Sequence, residues 1–194
     1  MARKTDPNKI EKVKKAAIEM TIEYGYRGAS IANIAKRAGV SAGYLYRHYS
    51  SKEELIEDLV DTRLKELKEG FMENFSQNKS LYEMIEDMVV KLFQLAKEDL
   101  LIAQFIITLI FEMDFDEKFK KKDCERLEIV QKIRQVGLKT KELNSKTTEE
   151  DVAVVVFTIP FMYLAEIIRK KNYEELLTEE LAKKVAQICM NALK

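Results

Sequence analysis

The chain has 194 residues, 46% of them hydrophobic and 34% charged, with a formal net charge of zero. That balance excludes a disordered or fibrous chain, and the length allows one large domain or a small domain joined to a larger one. The zero hides a gradient: residues 1–54 carry eleven Lys or Arg against six Asp or Glu, and residues 55–194 carry 22 against 27, so a basic head precedes an acidic body and a polyanionic partner is expected at the N-terminal end.

Ile10, Val13, Ala17, Met20 and Tyr24 recur at spacings of three and four, which predicts a first helix over about residues 8–25, with Gly25 as a left-handed stop. Ser30 caps a second helix whose buried stripe is Ile31, Ile34, Ala35 and Ala38, ended by Gly39. Ser41 caps a third, about two turns long, held to its neighbours by Leu45 and Tyr49. Two short helices joined by a Gly-Val turn form the pattern of a helix-turn-helix, in which the later helix enters a DNA groove.

At 100° per residue, with Leu45 and Tyr49 turned inward, Gly43, Tyr44 and Arg47 point away from the core and Tyr46 and His48 lie on the flanks. Gly43 lets the backbone approach a groove wall, Arg47 can fork onto a guanine edge, and Tyr44 can touch a thymine methyl or a phosphate. Tyr46 and His48 suit the sugar-phosphate walls. Ser30 and Ser41 open helices whose free N–H groups favour phosphate, and Lys52 opens the next helix with a mobile positive charge.

These residues resemble the DNA-binding segment of the tetracycline-repressor (TetR) family of bacterial transcriptional regulators. The likeness runs over residues 10–56: Tyr24-Gly25-Tyr26, Ser30-Ile31, Ile34-Ala35, Ala38-Gly39-Val40-Ser41, Gly43, Leu45-Tyr46, His48-Tyr49, Lys52-Glu53 and Leu55. It implies phosphate contacts from Ser30, Ser41, Tyr46, His48 and Lys52, with Ala42, Gly43, Tyr44 and sometimes Tyr46 nearest the bases. It also implies a helical C-terminal domain that binds a small molecule and forms a homodimer. Tyr44 departs from the small or hydroxyl residue common at its position, and Ser50 from a frequent proline or lysine.

The expected architecture is therefore all-α. Residues 1–54 form the helix-turn-helix head, and a connecting helix over about 51–76 leads into an effector-binding and dimerisation domain over residues 55–194. Further helices are predicted near 80–97, 99–113, 116–141, 148–171 and 178–193, with no Gly-rich linker between them. Val152 to Ala165 is apolar on every side, and Leu181, Val185, Ile188 and Ala192 form an apolar face on the last helix. Together they suggest a four-helix dimer interface, two helices from each chain. The plainer alternative is the core helix of a monomer.

Phe93, Phe105, Met113, Phe157 and Phe161 are the candidates to line a pocket for an apolar or amphipathic effector. Pro160 could open its helix by removing a backbone bond. Gln104, Thr108, Glu112 and Glu166 could orient a ligand, the glutamates favouring a lipophilic cation.

Catalysis finds no support in the sequence. His48 is the one histidine, so there is no second His for a metal cluster and no nucleophile-His pair elsewhere, and no cofactor or metal is expected. Cys124 and Cys189 lie far apart, the N-terminus has no apolar signal stretch, and the apolar runs read as too short for a bilayer, so a cytoplasmic protein is expected. The function read from these features is a homodimeric regulator, a repressor released from a palindromic double-stranded operator by a small molecule. The alternative is a DNA-binding regulator controlled by a protein partner.

Overall fold

The computed structural model describes residues 7–61, 80–112 and 120–193. Among them every regular element is helical: α1 (Pro7–Gly28), α2 (Ile31–Ala38), α3 (Ala42–Leu45), α4 (52–61), α5 (Leu81–Glu98), α6 (Leu100–Glu112), α7 (Lys120–Lys139), α8 (Glu149–Ala153), a π-helical turn (Val154–Thr158), α9 (Ile159–Ile168), α10 (Tyr173–Leu176) and α11 (Glu179–Leu193). The expected connecting helix is present from residue 52 to 61, and its continuation lies outside the described residues, as does the expected start of α7 near residue 116.

The chain divides into two compact units, Met1–Lys68 with Leu101–Asp114, and Glu69–Leu100 with Phe115–Lys194. The head expected over residues 1–54 thus shares its unit with a helix from much later in the chain. That helix, α6, buries Ile102, Ala103, Phe105, Ile106, Ile107 and Leu109, as its nearly unbroken apolar sequence requires.

In the second unit α11 packs along α5, α7 meets α8, and α9 touches both α5 and α11. Each helix supplies one stripe to the core: Leu81, Ile85 and Val89 from α5, Ala182, Val185, Ala186 and Cys189 from α11. The start of α5 is fixed twice. Ser80 and Glu83 form a reciprocal capping box, and the Glu142 carboxylate accepts from the Leu81 N–H at 2.6 Å and the Tyr82 N–H at 3.2 Å.

The run from Glu149 to Ile168 is one helical stretch interrupted by the π turn. Pro160 has no N–H and its ring would collide with the carbonyl four residues earlier, so a wider turn just before it relieves both problems. By length and composition this 20-residue run could cross a membrane, so the expectation that it is too short does not hold. Its apolarity has another cause within the fold: Val152, Val156 and Leu164 are fully buried. Cys189 is buried with its thiol 3.6 Å from the Val155 carbonyl, and burial pushes the thiol up to about 11, which leaves it protonated and unreactive.

Candidate nucleic-acid interface

The head is built by local capping. The Ser30 hydroxyl accepts from the Asn33 N–H at 3.3 Å and opens α2, and the Ser41 hydroxyl accepts from the Tyr44 N–H at 3.2 Å and opens α3. Gly39 ends α2 at φ 68° and ψ 33°, the left-handed conformation that a side chain disfavours, and the Val40 N–H closes on the Ala35 carbonyl at 3.0 Å. Arg37 pairs with Glu23 and Glu19, tying α2 to α1.

Beneath the reading face, Leu45 and Tyr49 are buried. The Tyr49 hydroxyl donates to Asp58 on α4 at 2.8 Å, and Lys14 on α1 pairs with the same carboxylate at 3.0 Å. Burial first, and then the Asp58 carboxylate, raises the Tyr49 pKa, so the phenol stays protonated and donating. Burial opposes the Asp58 charge, but the bonds from Lys14 and Tyr49 outweigh it and hold this carboxyl below its ordinary value. Contacts from α1 and α4 therefore fix the segment of chain that carries α3.

The reading face itself differs from a helical wheel. α3 is α-helical only over Ala42–Leu45, and residues 46–48 continue as a turn. Gly43 faces open space, Arg47 is exposed, Tyr46 is 59% exposed, Ser30 and Ser41 are exposed, and Ala42 and His48 are half-buried. Tyr44 is turned inward instead of outward: its hydroxyl is buried, and its ring lies 4.8 Å from the His48 ring, with the Arg47 guanidinium carbon 5.5 Å from its centroid.

Lys52, expected as a mobile charge, is seated. Its ammonium donates to the Tyr26 carbonyl at 2.7 Å and stands 4.2 Å over the Tyr26 ring. Tyr26 is also held from its other side, because its N–H donates to the Glu112 carboxylate at the end of α6. Gly25, just before it, has φ 74° and ψ 167° inside what is otherwise one helix, so the predicted stop is a kink after which one more helical turn follows. Glu112, a candidate to orient a ligand, instead fastens the α1–α2 junction. Sequence spacing offers no signal for a contact across 86 residues.

Residues 14–59 match the family model described as bacterial regulatory proteins, tetR family. That segment is a TetR-type DNA-binding head. It is 29% identical over 84 residues to the fatty acid metabolism regulator protein of Bacillus subtilis, a match covering 43% of this chain and 43% of that protein. The aligned stretch thus spans less than half the length of this relative. Among solved structures, a TetR family transcription regulator from Marinobacter aquaeolei superposes with a TM-score of 0.72 at 18% identity, covering 96% of this chain and 95% of the other. The transcriptional regulator FadR from Bacillus subtilis, solved in complex with stearoyl-CoA, gives 0.70 at 20% identity, covering 95% and 99%. At such identities the likeness establishes the fold.

The pocket residues expected for a TetR-family effector are distributed as follows. Phe105 lies fully buried in the first unit, Phe93 lies buried in the second, Phe157 and Phe161 are half-buried in the second, and Met113 lies outside the described residues. An open cleft of about 460 Å³ in the second unit is lined by other residues, among them Asn144, Lys146, Glu150, Val154 and Leu193. Of the polar candidates, the Thr108 hydroxyl donates to the backbone carbonyl of Gln104 at 2.9 Å, and Glu166 forms an exposed pair with Arg169 at 2.9 Å. Glu112 accepts from the Tyr26 N–H. Among the described residues no cluster of His, Cys, Asp or Glu could hold a metal.

Proposed function

We propose that the protein is a homodimeric transcriptional repressor that binds an inverted-repeat operator through its heads and is released by an amphipathic small molecule. The observation that carries this reading is the capped helix-turn-helix with Gly43, Tyr46 and Arg47 open to a ligand, on a segment whose eleven basic and six acidic residues leave it at +5. Ser30, Ser41, Tyr46 and His48 serve the phosphates, Ala42 and Gly43 allow close approach, and Arg47 reads a base edge. Lys52 faces the phosphates from its seat on Tyr26. The protein works where bacterial DNA lies, in the cytoplasm.

Selection from random DNA by the purified protein is expected to return an inverted repeat. Arg47→Ala then relaxes preference at one position per half-site by about 1–3 kcal/mol. Lys52→Ala weakens all sequences alike and reduces the salt slope by about one unit per subunit. It also lowers the melting temperature of the free protein, because the Tyr26 carbonyl loses its donor. Equal loss of sequence preference in both variants would refute these roles.

The effector is of the long-chain acyl type, its apolar part held by side chains of the second unit that keep accessible surface, Phe157 and Phe161. Support comes from the relative named for fatty acid metabolism and from the similar structure that holds stearoyl-CoA. Effector and operator are linked, so each must weaken the other by the same factor. Titrating the DNA complex with a long-chain acyl-CoA and, separately, with a lipophilic cation distinguishes the classes: the acyl thioester should release DNA, and release by the cation alone overturns the assignment.

A further inference from the structure

Tyr44 sits in the middle of the reading segment, yet its hydroxyl is buried with no hydrogen-bond partner among the described residues. A buried, unpaired hydroxyl is costly, and a phenylalanine would avoid the cost without changing the ring. What the ring touches is informative. The His48 imidazole lies 4.8 Å away at an interplanar angle of 57°, a tilted arrangement that aromatic rings favour. The Arg47 guanidinium carbon stands 5.5 Å from the centroid of the same ring, within cation–π range, while Arg47 itself is exposed.

An exposed arginine has many rotamers to lose when it docks, and a planar group stacked on a fixed surface loses fewer. Tyr44 is fixed from below, since its N–H is tied to the Ser41 hydroxyl and the next residue, Leu45, is fully buried. One ring therefore aligns two side chains that differ in chemistry: a fork suited to a guanine edge and an imidazole suited to a phosphate wall.

We propose that Tyr44 is a positioning residue whose ring is the platform that orients Arg47 and His48 for the duplex, and whose hydroxyl makes no DNA contact. The proposal rests on the DNA-binding reading above and deepens it.

The test uses the full-length protein and the duplex that the wild type selects from random DNA. His48 is the one histidine in the chain, so its imidazole resonances report on the platform without assignment. In Tyr44→Phe they should stay in place, the melting temperature should rise by a few degrees, and affinity for the selected duplex should stay within about twofold. In Tyr44→Leu the ring-current displacement of the His48 signals should vanish. Affinity should fall about two- to fivefold for the lost cation–π contact, and Arg47→Ala should cost less in that background than in the wild type. A tenfold affinity loss in Tyr44→Phe would show that the hydroxyl touches DNA and would overturn the platform role. So would unchanged His48 resonances in Tyr44→Leu, or strictly additive losses with Arg47→Ala. A wild-type protein that selects no duplex overturns the DNA-binding reading itself, while the free-protein resonances still decide whether the platform exists. Should Tyr44→Leu fail to fold, Tyr44→Phe alone decides, through the same affinity and resonance readouts.

Discussion

Gly25→Ala is expected to unfold the head at ordinary temperature or to leave it too weak to bind DNA. The residue adopts φ 74° and ψ 167°, a region essentially confined to glycine, and forcing a side chain into it costs about 1–3 kcal/mol. Space adds a second cost. A Cβ here would lie 2.6 Å from Glu112 Oε1, so the carboxylate must swing away and release the Tyr26 N–H. Leaving that largely buried amide unpaired costs on the order of another 1–3 kcal/mol. A domain of this kind has only about 5–15 kcal/mol in total. Glu112→Gln keeps an acceptor and should behave much like the wild type, whereas Glu112→Ala should lose the second cost alone. The two substitutions share one contact, so Gly25→Ala combined with Glu112→Ala should cost less than the sum. A Gly25→Ala protein with wild-type melting temperature and operator affinity would show that the junction does not stabilise the head.

Local capping makes much of the head legible in the sequence. Ser30, Gly39 and Ser41 each act on backbone groups within four or five residues, and interactions of that range leave a signature in spacing. The apolar stripes of α1 and α2 are legible in the same way, through Val13, Ala17 and Met20 and through Ile31, Ile34 and Ala35, although Tyr24 proves exposed. Three features of the site are not. A wheel of 100° per residue puts Tyr44 outside, but α3 lasts one turn before the backbone changes direction, so the extrapolation fails within the segment that matters most. Glu112 lies among apolar neighbours in α6 that suggest a ligand, and its partner is 86 residues away. Lys52 has the spacing of a solvated charge, whereas it caps the carbonyl of a residue 26 positions earlier. Contacts that close long loops follow from the fold and have no period in the sequence.

The same contrast bears on the pocket. Phe93, Phe105, Phe157 and Phe161 are candidates by residue type, and residue type alone does not separate a pocket wall from a core. Burial separates them in part: Phe105 and Phe93 are packed in, whereas Phe157 and Phe161 keep accessible surface. Phe157 lies within the π turn that Pro160 imposes and Phe161 just after it, where the helix is widened. An effector titration of Phe157→Ala and Phe161→Ala is accordingly more informative than one of Phe105→Ala, which would lose about 3–5 kcal/mol of stability to a core cavity.

The largest functional loss is expected from a charge at the proposed dimer surface. In the single chain Val154 is 60% exposed and Met162 is 44% exposed, on a helical run whose Val152, Val156 and Leu164 are fully buried in the second unit. Ala192 is exposed and Leu181 and Ile188 are half-buried on α11. Of the apolar face expected on α11, Val185 is buried in the chain's own core, so the proposed surface for a second copy rests on the accessible apolar side chains of these two helices. Because Val154 is outside the core, Val154→Asp should change the stability of one subunit by no more than about 0.5 kcal/mol. At a two-fold interface the substitution enters twice, and burying either carboxylate unpaired costs several kcal/mol. Sedimentation at micromolar concentration should find a dimer for the wild type and a folded monomer for Val154→Asp, with helicity unchanged. Its affinity for the inverted repeat should drop by about 10²–10⁴-fold, because the second half-site is no longer reached by a tethered head, while its affinity for a single half-site should be unaltered. A Val154→Asp and Met162→Asp double variant that remains dimeric would move the interface elsewhere, and a monomeric wild type that binds the inverted repeat tightly would remove the dimer from the mechanism.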